Sequence, residues 1–207
     1  MSTGTADFTA PATHAELEAL AVKLRERNFE VLVVANSAEA AAAVMERIPD
    51  GALVHAGKSK TLEDIGVFQQ LMESDRFDFV RRRTQAMDRR TQRDEMRRLG
   101  AAPDVMLGSV QAVTEAGQLV IVSASGSQIG PYGSGAGKLI VVVGAQKIVQ
   151  DMERAYERIK QHVFPYEDAR LREQLGVGTR WTRTLILESD FGPGRTTVIL
   201  VEEPVGV

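Results

Sequence analysis

The chain has 207 residues, 43% of them apolar, and carries 25 Lys and Arg against 28 Asp and Glu, for a net charge of −3. That length supports a full hydrophobic core, and the near-balanced charge calls for neither nucleic acid nor a membrane surface as partner. With no cysteine in the sequence, disulfides, thiolate catalysis and cysteine-ligated iron–sulfur clusters are excluded from this chain.

The first thirty residues hold Asp7, Glu16, Glu18, Glu26 and Glu30 and no signal-peptide-like apolar run. No segment approaches the roughly 20 apolar residues of a membrane-spanning helix. A soluble cytoplasmic protein is the expectation. Residues 1–12 read as a tail, and 13–207 as a single domain without repeats or a clear linker.

In chain order, Thr13-x-x-Glu16 is a capping box opening a helix with Leu17, Leu20, Ala21 and Leu24 at helical spacing. Phe29 to Ala35 is a strand. Ser37 is the expected cap of a second helix with a stripe at Ala41, Val44, Met45 and Ile48, stopped by Pro49-Asp50-Gly51. Ala52 to His55 is a short buried strand. After Gly57-Lys58-Ser59-Lys60-Thr61 comes a helix with Leu62, Ile65, Phe68 and Met72 on one face, for which Thr61 and Asp64 form a cap pair. Asp75 to Arg98 is arginine-rich, with a short strand at Phe77 to Val80 and a polar helix from about Ala86 to Leu99. Its interleaved Asp78, Asp88, Asp94 and Glu95 favour a solvated, salt-bridged face over a nucleic-acid surface.

The stretch Pro103 to Gly144 organises the remainder. Asp104–Val110, Gln118–Val122 and Leu139–Val143 are strands, and the last is an unbroken apolar run suited to a sheet covered on both faces. Gln111 to Gly117 reads as a polar loop carrying Thr114 and Glu115, and a Gly/Ser-rich loop precedes the third strand. Ala145 to His162 reads as one helix broken by Pro165, followed by a short helix from Tyr166 to Leu175. Trp181–Leu187 and Thr196–Glu202 close the chain as a hairpin-like pair around Gly192-Pro193-Gly194. Alternation of strand and helix predicts an α/β fold with an open, mostly parallel sheet and flanking helices.

Gly57-Lys58-Ser59 fails the P-loop pattern because Ala52 stands where glycine is required, and Gly137-Lys138 fails at Tyr132 and Leu139. Gly133 to Gly137 precedes a strand, so it is no dinucleotide fingerprint either. A strand end followed by Gly-Lys-Ser-Lys-Thr and a helix start still gathers N–H groups, hydroxyls and ammonium groups suited to a phosphate or carboxylate. The alternative is a simple cap with solvated lysines. Glu115 is either an acid, base or nucleophile shielded by the Gly/Ser loop or an exposed turn glutamate. His55 ends a strand beside the lysine loop, as a catalytic or a packed histidine. His14 and His162 lack metal-ligand spacing, so neither a metal nor a cofactor is expected.

Four segments resemble the LUD domain family, of the lactate utilisation protein C type. Gly57 to Gly66 is similar to the family's Gly-x-Ser-x-Thr-Leu-Glu-Glu-Ile-Gly. Gly108-Ser109-Val110-Gln111-Ala112-Val113-Thr114-Glu115-Ala116-Gly117-Gln118-Leu119-Val120 resembles its Gly-Ser-Asn-Ala-Val-Thr-Glu-Asp-Gly-x-Leu-Val. Lys138 to Val149 and Gly194 to Gly206 resemble the strands that follow. The resemblance implies a fold akin to the superfamily of sugar-phosphate isomerases, glucosamine-phosphate deaminases and CoA transferases. It implies a role in oxidising L-lactate to pyruvate beside separate iron–sulfur subunits, as an enzyme or as a non-catalytic regulatory or assembly subunit, with a small anionic metabolite as ligand and a homo-oligomer as one assembly. Glu115-Ala116-Gly117 is similar to the nucleophile motif of CoA transferases, which makes Glu115 the expected catalytic residue. The expected binding residues are Gly57, Lys58, Ser59, Thr61, Ser109 and Thr114, with Gly126, Ser127 and Lys138 around the Gly/Ser loop. Gly126-Ser127-Gln128 stands where the family often has Gly-Asn-Arg, which changes the hydrogen bonding offered to a ligand. The region Gly176 to Trp181, where some relatives carry a cysteine cluster, holds no sulfur ligand.

Overall fold

A computed structural model describes residues 7–207. Its strands are β1 (Glu30–Val34), β2 (Leu53–Ala56), β3 (Asp78–Phe79), β4 (Val105–Ser109), β5 (Ala112–Thr114), β6 (Leu119–Ser123), β7 (Lys138–Gly144), β8 (Ile148–Val149), β9 (Arg183–Leu187) and β10 (Thr196–Val201). The helices are α1 (His14–Glu26), α2 (Ser37–Glu46), α3 (Lys60–Asp64), α4 (Val67–Glu73), α5 (Val80–Gln85), α6 (Arg93–Ala101), α7 (Met152–Arg158) and α8 (Phe164–Leu175). The larger sheet has the order β1-β10-β7-β4-β2-β3, every pair parallel. The smaller, β8-β5-β6-β9, pairs β5 with β6 and β6 with β9 antiparallel. This is the open, largely parallel α/β architecture that the strand–helix alternation predicts.

Side chains alternate across a strand, so β7 feeds two cores. Ile140 and Val142 pack with α2, α3 and α4, while Leu139, Val141 and Val143 pack with α1 and the β5–β6 hairpin. On its outer face the small sheet, through Ala112 and Val120, meets Ala155 of α7 and Ile159 just after it. The apolar run of β7 is thus explained by cover on both faces.

Several local expectations are corrected. β9 and β10 do not pair with each other. All six residues of β10 are buried, and a strand apolar on both faces needs an interior position, which it takes between β1 and β7. β9, more exposed, pairs with β6. The helix expected from Ala145 begins only at Met152, capped by Asp151, whose carboxylate accepts the Arg154 N–H at 2.9 Å. Ala145–Lys147 is instead a 3-10 turn leading into β8. Pro165 breaks nothing. It sits in the first turn of α8, where its missing N–H is no loss, and a wider π-type turn at Ile159–Val163 joins α7 to α8.

Elsewhere, the polar loop after β4 contains β5, whose three residues are all buried. Gly66, at φ +74°, separates α3 from α4 where one helix is expected. Ser59, not Thr61, caps α3 by accepting the Leu62 N–H at 3.3 Å. Asn36, not Ser37, caps α2, whereas the Thr13–Glu16 capping box forms as predicted. The arginine-rich segment folds as two helices, α5 and α6, rather than one. The first six residues of the expected tail lie outside the described residues. In the rest of it, Phe8 is buried beneath the Arg154 guanidinium and the Ala12 N–H donates to Ala145 O.

Candidate functional site

In the parallel sheet the chain leaves β2 toward the edge strand β3, and leaves β4 in the opposite direction toward β7. Adjacent strands whose connections diverge open a crevice at their carboxyl ends. A cavity of about 300 Å³ lies there. The Gly57–Thr61 loop, Ser109 and the Ser123–Ser125 corner form part of its wall, and Ile159, Val163 and Phe164 supply an apolar side from the α7–α8 junction.

Lys147 is the central group. The 3-10 turn after β7 carries it into the wall, and it is 2% exposed. Its Nζ donates to Thr61 Oγ1 at 2.6 Å and to Ser109 Oγ at 2.9 Å, and the Thr61 hydroxyl donates to Ser109 Oγ at 3.1 Å. Burial, reinforced by the nearby Arg158 guanidinium and only partly opposed by Asp64, pushes the Lys147 ammonium down to about 7. Gly206, at φ +78°, closes over this cluster. A Cβ there would lie 2.1 Å from Thr61 Oγ1 and 2.9 Å from Lys147 Nζ.

Behind Lys147, Arg158 is fully buried. It donates to Gln111 O at 2.6 Å and Gln146 O at 3.3 Å, while its Nη2 has no partner. Burial lowers its pKa to about 10. Neither Lys147 nor Arg158 forms an ion pair among the described residues. Tyr132 completes the wall, donating from its hydroxyl to Ser109 O at 3.2 Å, and burial holds its phenol well above the usual range. It reaches there only because residue 108 is glycine. A Cβ on Gly108 would stand 1.5 Å from the Tyr132 hydroxyl.

The fold brings Gly57, Lys58, Ser59, Thr61 and Ser109 to one cavity. Lys58 stands at the rim, where its Nζ donates to Gln174 Oε1 at 2.8 Å. Lys60 is tied to Asp64, whose hydrogen bond raises the Lys60 pKa. The other expected site residues lie elsewhere. Glu115 is exposed at the β5–β6 turn, its backbone N–H bonded to Val149 O at 2.8 Å. Thr114 is fully buried and holds that turn, accepting the Gln118 N–H at 3.1 Å and donating to Gln118 Oε1 at 3.2 Å. Lys138 is exposed at the start of β7, the opposite end of the strand from the cavity. Gly126 and Ser127 do not line the cavity, and Ser127 is exposed. The Gly126 N–H donates to Ser123 Oγ at 2.9 Å, while Ser125 and Gln128 line the cavity. His55 packs toward Gly100 with Nδ1 unpartnered, and burial, then Arg81, lowers its pKa. Sequence reasoning missed Lys147 and Tyr132. The signal for Lys147 was its place four residues past the end of the unbroken apolar run Leu139–Val143, hidden by the helix expected from Ala145.

Among the described residues, no group of three or more His, Asp or Glu side chains could hold a metal ion, and no helix is long and apolar enough to cross a membrane.

A solved structure of a DUF162 family protein from Deinococcus radiodurans is similar in fold, at 15% identity and a TM-score of 0.51, over 92% of this chain and 99% of that one. No curated protein matches the chain. The family model of the LUD domain matches residues 17–201. On that match, spanning both sheets and nearly all of the cavity wall, the chain belongs to the LUD domain family.

Proposed function

We propose that the cavity binds a small anionic carboxylate or phosphate metabolite, and that the protein serves the oxidation of L-lactate to pyruvate in the cytoplasm beside separate iron–sulfur subunits. One observation carries the ligand: the buried Lys147 amine in the cavity wall, which an anion would hold in its charged form, and the buried Arg158 guanidinium behind it have no carboxylate partner. Burying a charge without a counter-ion is costly, and an incoming anion supplies the missing charge. Lys147 anchors the ligand, with Lys58 at the rim, and Ser59, Thr61 and Ser109 orient it over Gly57. Glu115 stands outside this set because of its exposed position on the hairpin turn.

Thermal unfolding against L-lactate, pyruvate and sugar phosphates tests the reading. A ligand at about 100 times its Kd adds roughly 2.7 kcal/mol, or several degrees, and Lys147→Met removes that shift. No shift with any of them would sink the ligand.

A second reading, a non-catalytic assembly subunit, is favoured by Leu175 and Val177, which are 65% and 60% exposed. They lie between Gln174, which holds Lys58, and Thr179, which lines the cavity. Co-purification with iron–sulfur subunits that Leu175→Asp abolishes, without turnover in the wild type, would support it. Retained association in that variant would remove these side chains from the interface.

A further inference from the structure

Lys147 has the surroundings of a nucleophilic amine rather than of a structural cation. A structural buried lysine keeps its charge by pairing with a carboxylate, whereas Lys147 Nζ meets two hydroxyls, at 2.6 Å and 2.9 Å. The charged groups around it come from three elements. Arg158 of α7 lies behind it and opposes its charge. Asp64 of α3 favours the charge, but its carboxylate is bonded to Lys60 and to the Gly206 N–H. Glu167 of α8, also in the cavity wall, is paired with Arg170. Burial and Arg158 prevail, which leaves the amine neutral to a large extent near pH 7. Val122, Ile159, Val163 and Phe164 present an apolar side facing the polar one, from which a bound substrate displaces water. Lys58 and Arg180 in the same wall suit the carboxylate of a substrate.

We propose that Lys147 condenses with the carbonyl carbon of a 2-oxo acid to form an imine, with the Thr61 and Ser109 hydroxyls relaying protons. The inference rests on the anion-site reading above and deepens it. Neutral Nζ attacks the carbonyl carbon, a C–N bond forms, and one proton passes from the nitrogen to the oxygen to give a carbinolamine. The nitrogen lone pair then expels that oxygen as water, one proton being delivered through the hydroxyls, and the protonated C=N that forms returns one proton to them. One amine and one carbonyl give one imine and one water, with no change of oxidation state.

The test incubates the full chain with pyruvate and cyanoborohydride, which reduces an imine to a stable secondary amine, and maps the adduct by peptide mass spectrometry. In parallel, pyruvate's effect on thermal unfolding is recorded. Exposed lysines are neutral at pH 7 to only about one part in a thousand, so Lys147 should label at least about a hundredfold faster than any other lysine. Its rate should climb about tenfold per pH unit below about 7 and level off above. The readout is the wild-type peptide, so no variant has to fold. A thermal shift with pyruvate but no selective Lys147 adduct overturns the imine and leaves the anion site standing. Neither shift nor adduct overturns both.

Discussion

Lys147 is an amine held by hydroxyls rather than by a carboxylate, and that choice of neighbours makes stability depend on pH in a defined direction. The unfolded chain keeps the Lys147 proton up to its ordinary value of 10.5, the folded chain only to about 7. Between those values the unfolded state binds more protons, so the contribution of Lys147 to stability rises with pH across the window. Below about 7 the whole cost of burying the charge is present. Lys147→Met should therefore be more stable than wild type below that window, by on the order of 2–5 kcal/mol, with the difference vanishing toward its upper end. Chemical denaturation on either side of the window checks this, and an equal difference at both pH values refutes it. L-lactate has no carbonyl at C2, so its affinity should fall as pH rises past about 7, while pyruvate labelling rises and then levels off. Gly108→Ala puts a Cβ into the Tyr132 hydroxyl. Overpacking costs about 1–3 kcal/mol, and loss of the ligand-induced thermal shift should accompany it. Glu115→Gln, on an exposed turn, should leave that shift unchanged, and a lost shift would return Glu115 to the site. Thr61 was legible in the sequence because it closes the loop between a strand end and a helix start, and Ser109 because it stands at the end of an apolar strand run. Lys147 was not, because helical spacing at Ile148, Met152 and Ala155 imitated a continuous helix over what is a turn and a short strand.

The short helix α3 shows how an element's boundary decides a site. With Ser59 as its cap, Thr61 falls in the first turn and points inward, 2% exposed, to meet Lys147. Had Thr61 been the cap, its oxygen would have been spent on a backbone N–H. The difference is two residues, within which strand–loop–helix patterning is blind. Strands were read more securely because β-branched runs bounded by glycine and proline leave few alternatives. Their partners were not legible, since a buried run states that both faces are covered and not by which neighbour. β10 is the case in point: a glycine-proline turn and two adjacent runs suggest a hairpin, whereas the burial of all six residues demands the sheet interior. Leu200→Ala, in that interior strand and fully buried, should lower stability by about 2–5 kcal/mol. Urea denaturation measures it, and a loss well under 1 kcal/mol would contradict so central a place for the strand.

Across the whole molecule, two sheets back onto each other and share one core built from α1, β7 and the β5–β6 hairpin. Cavity walls come from both halves: Gly57 to Thr61 and Ser109 from the parallel sheet, Val122 to Ser125 and the α7–α8 junction from the smaller unit. Fold class was legible from the alternation of strand and helix, while the second sheet was not, because β5 and β8 are three and two residues long and leave no periodic trace. The family match places the chain among LUD domains, and on a shared fold the function is set by the side chains of the individual site.

The strand order has a consequence for synthesis. β1, at residues 30–34, touches the parallel sheet through β10, at residues 196–201. A ribosome therefore releases β1 long before the strand that anchors it exists. At about 5–20 residues per second, the interval between them is on the order of ten seconds or more. Through that time β1 lacks the strand it pairs with, and its backbone edge stays unsatisfied by the sheet. The cavity wall is finished last of all, when Gly206 settles onto Thr61 and Lys147, so a stalled or truncated chain carries the lysine without its enclosure.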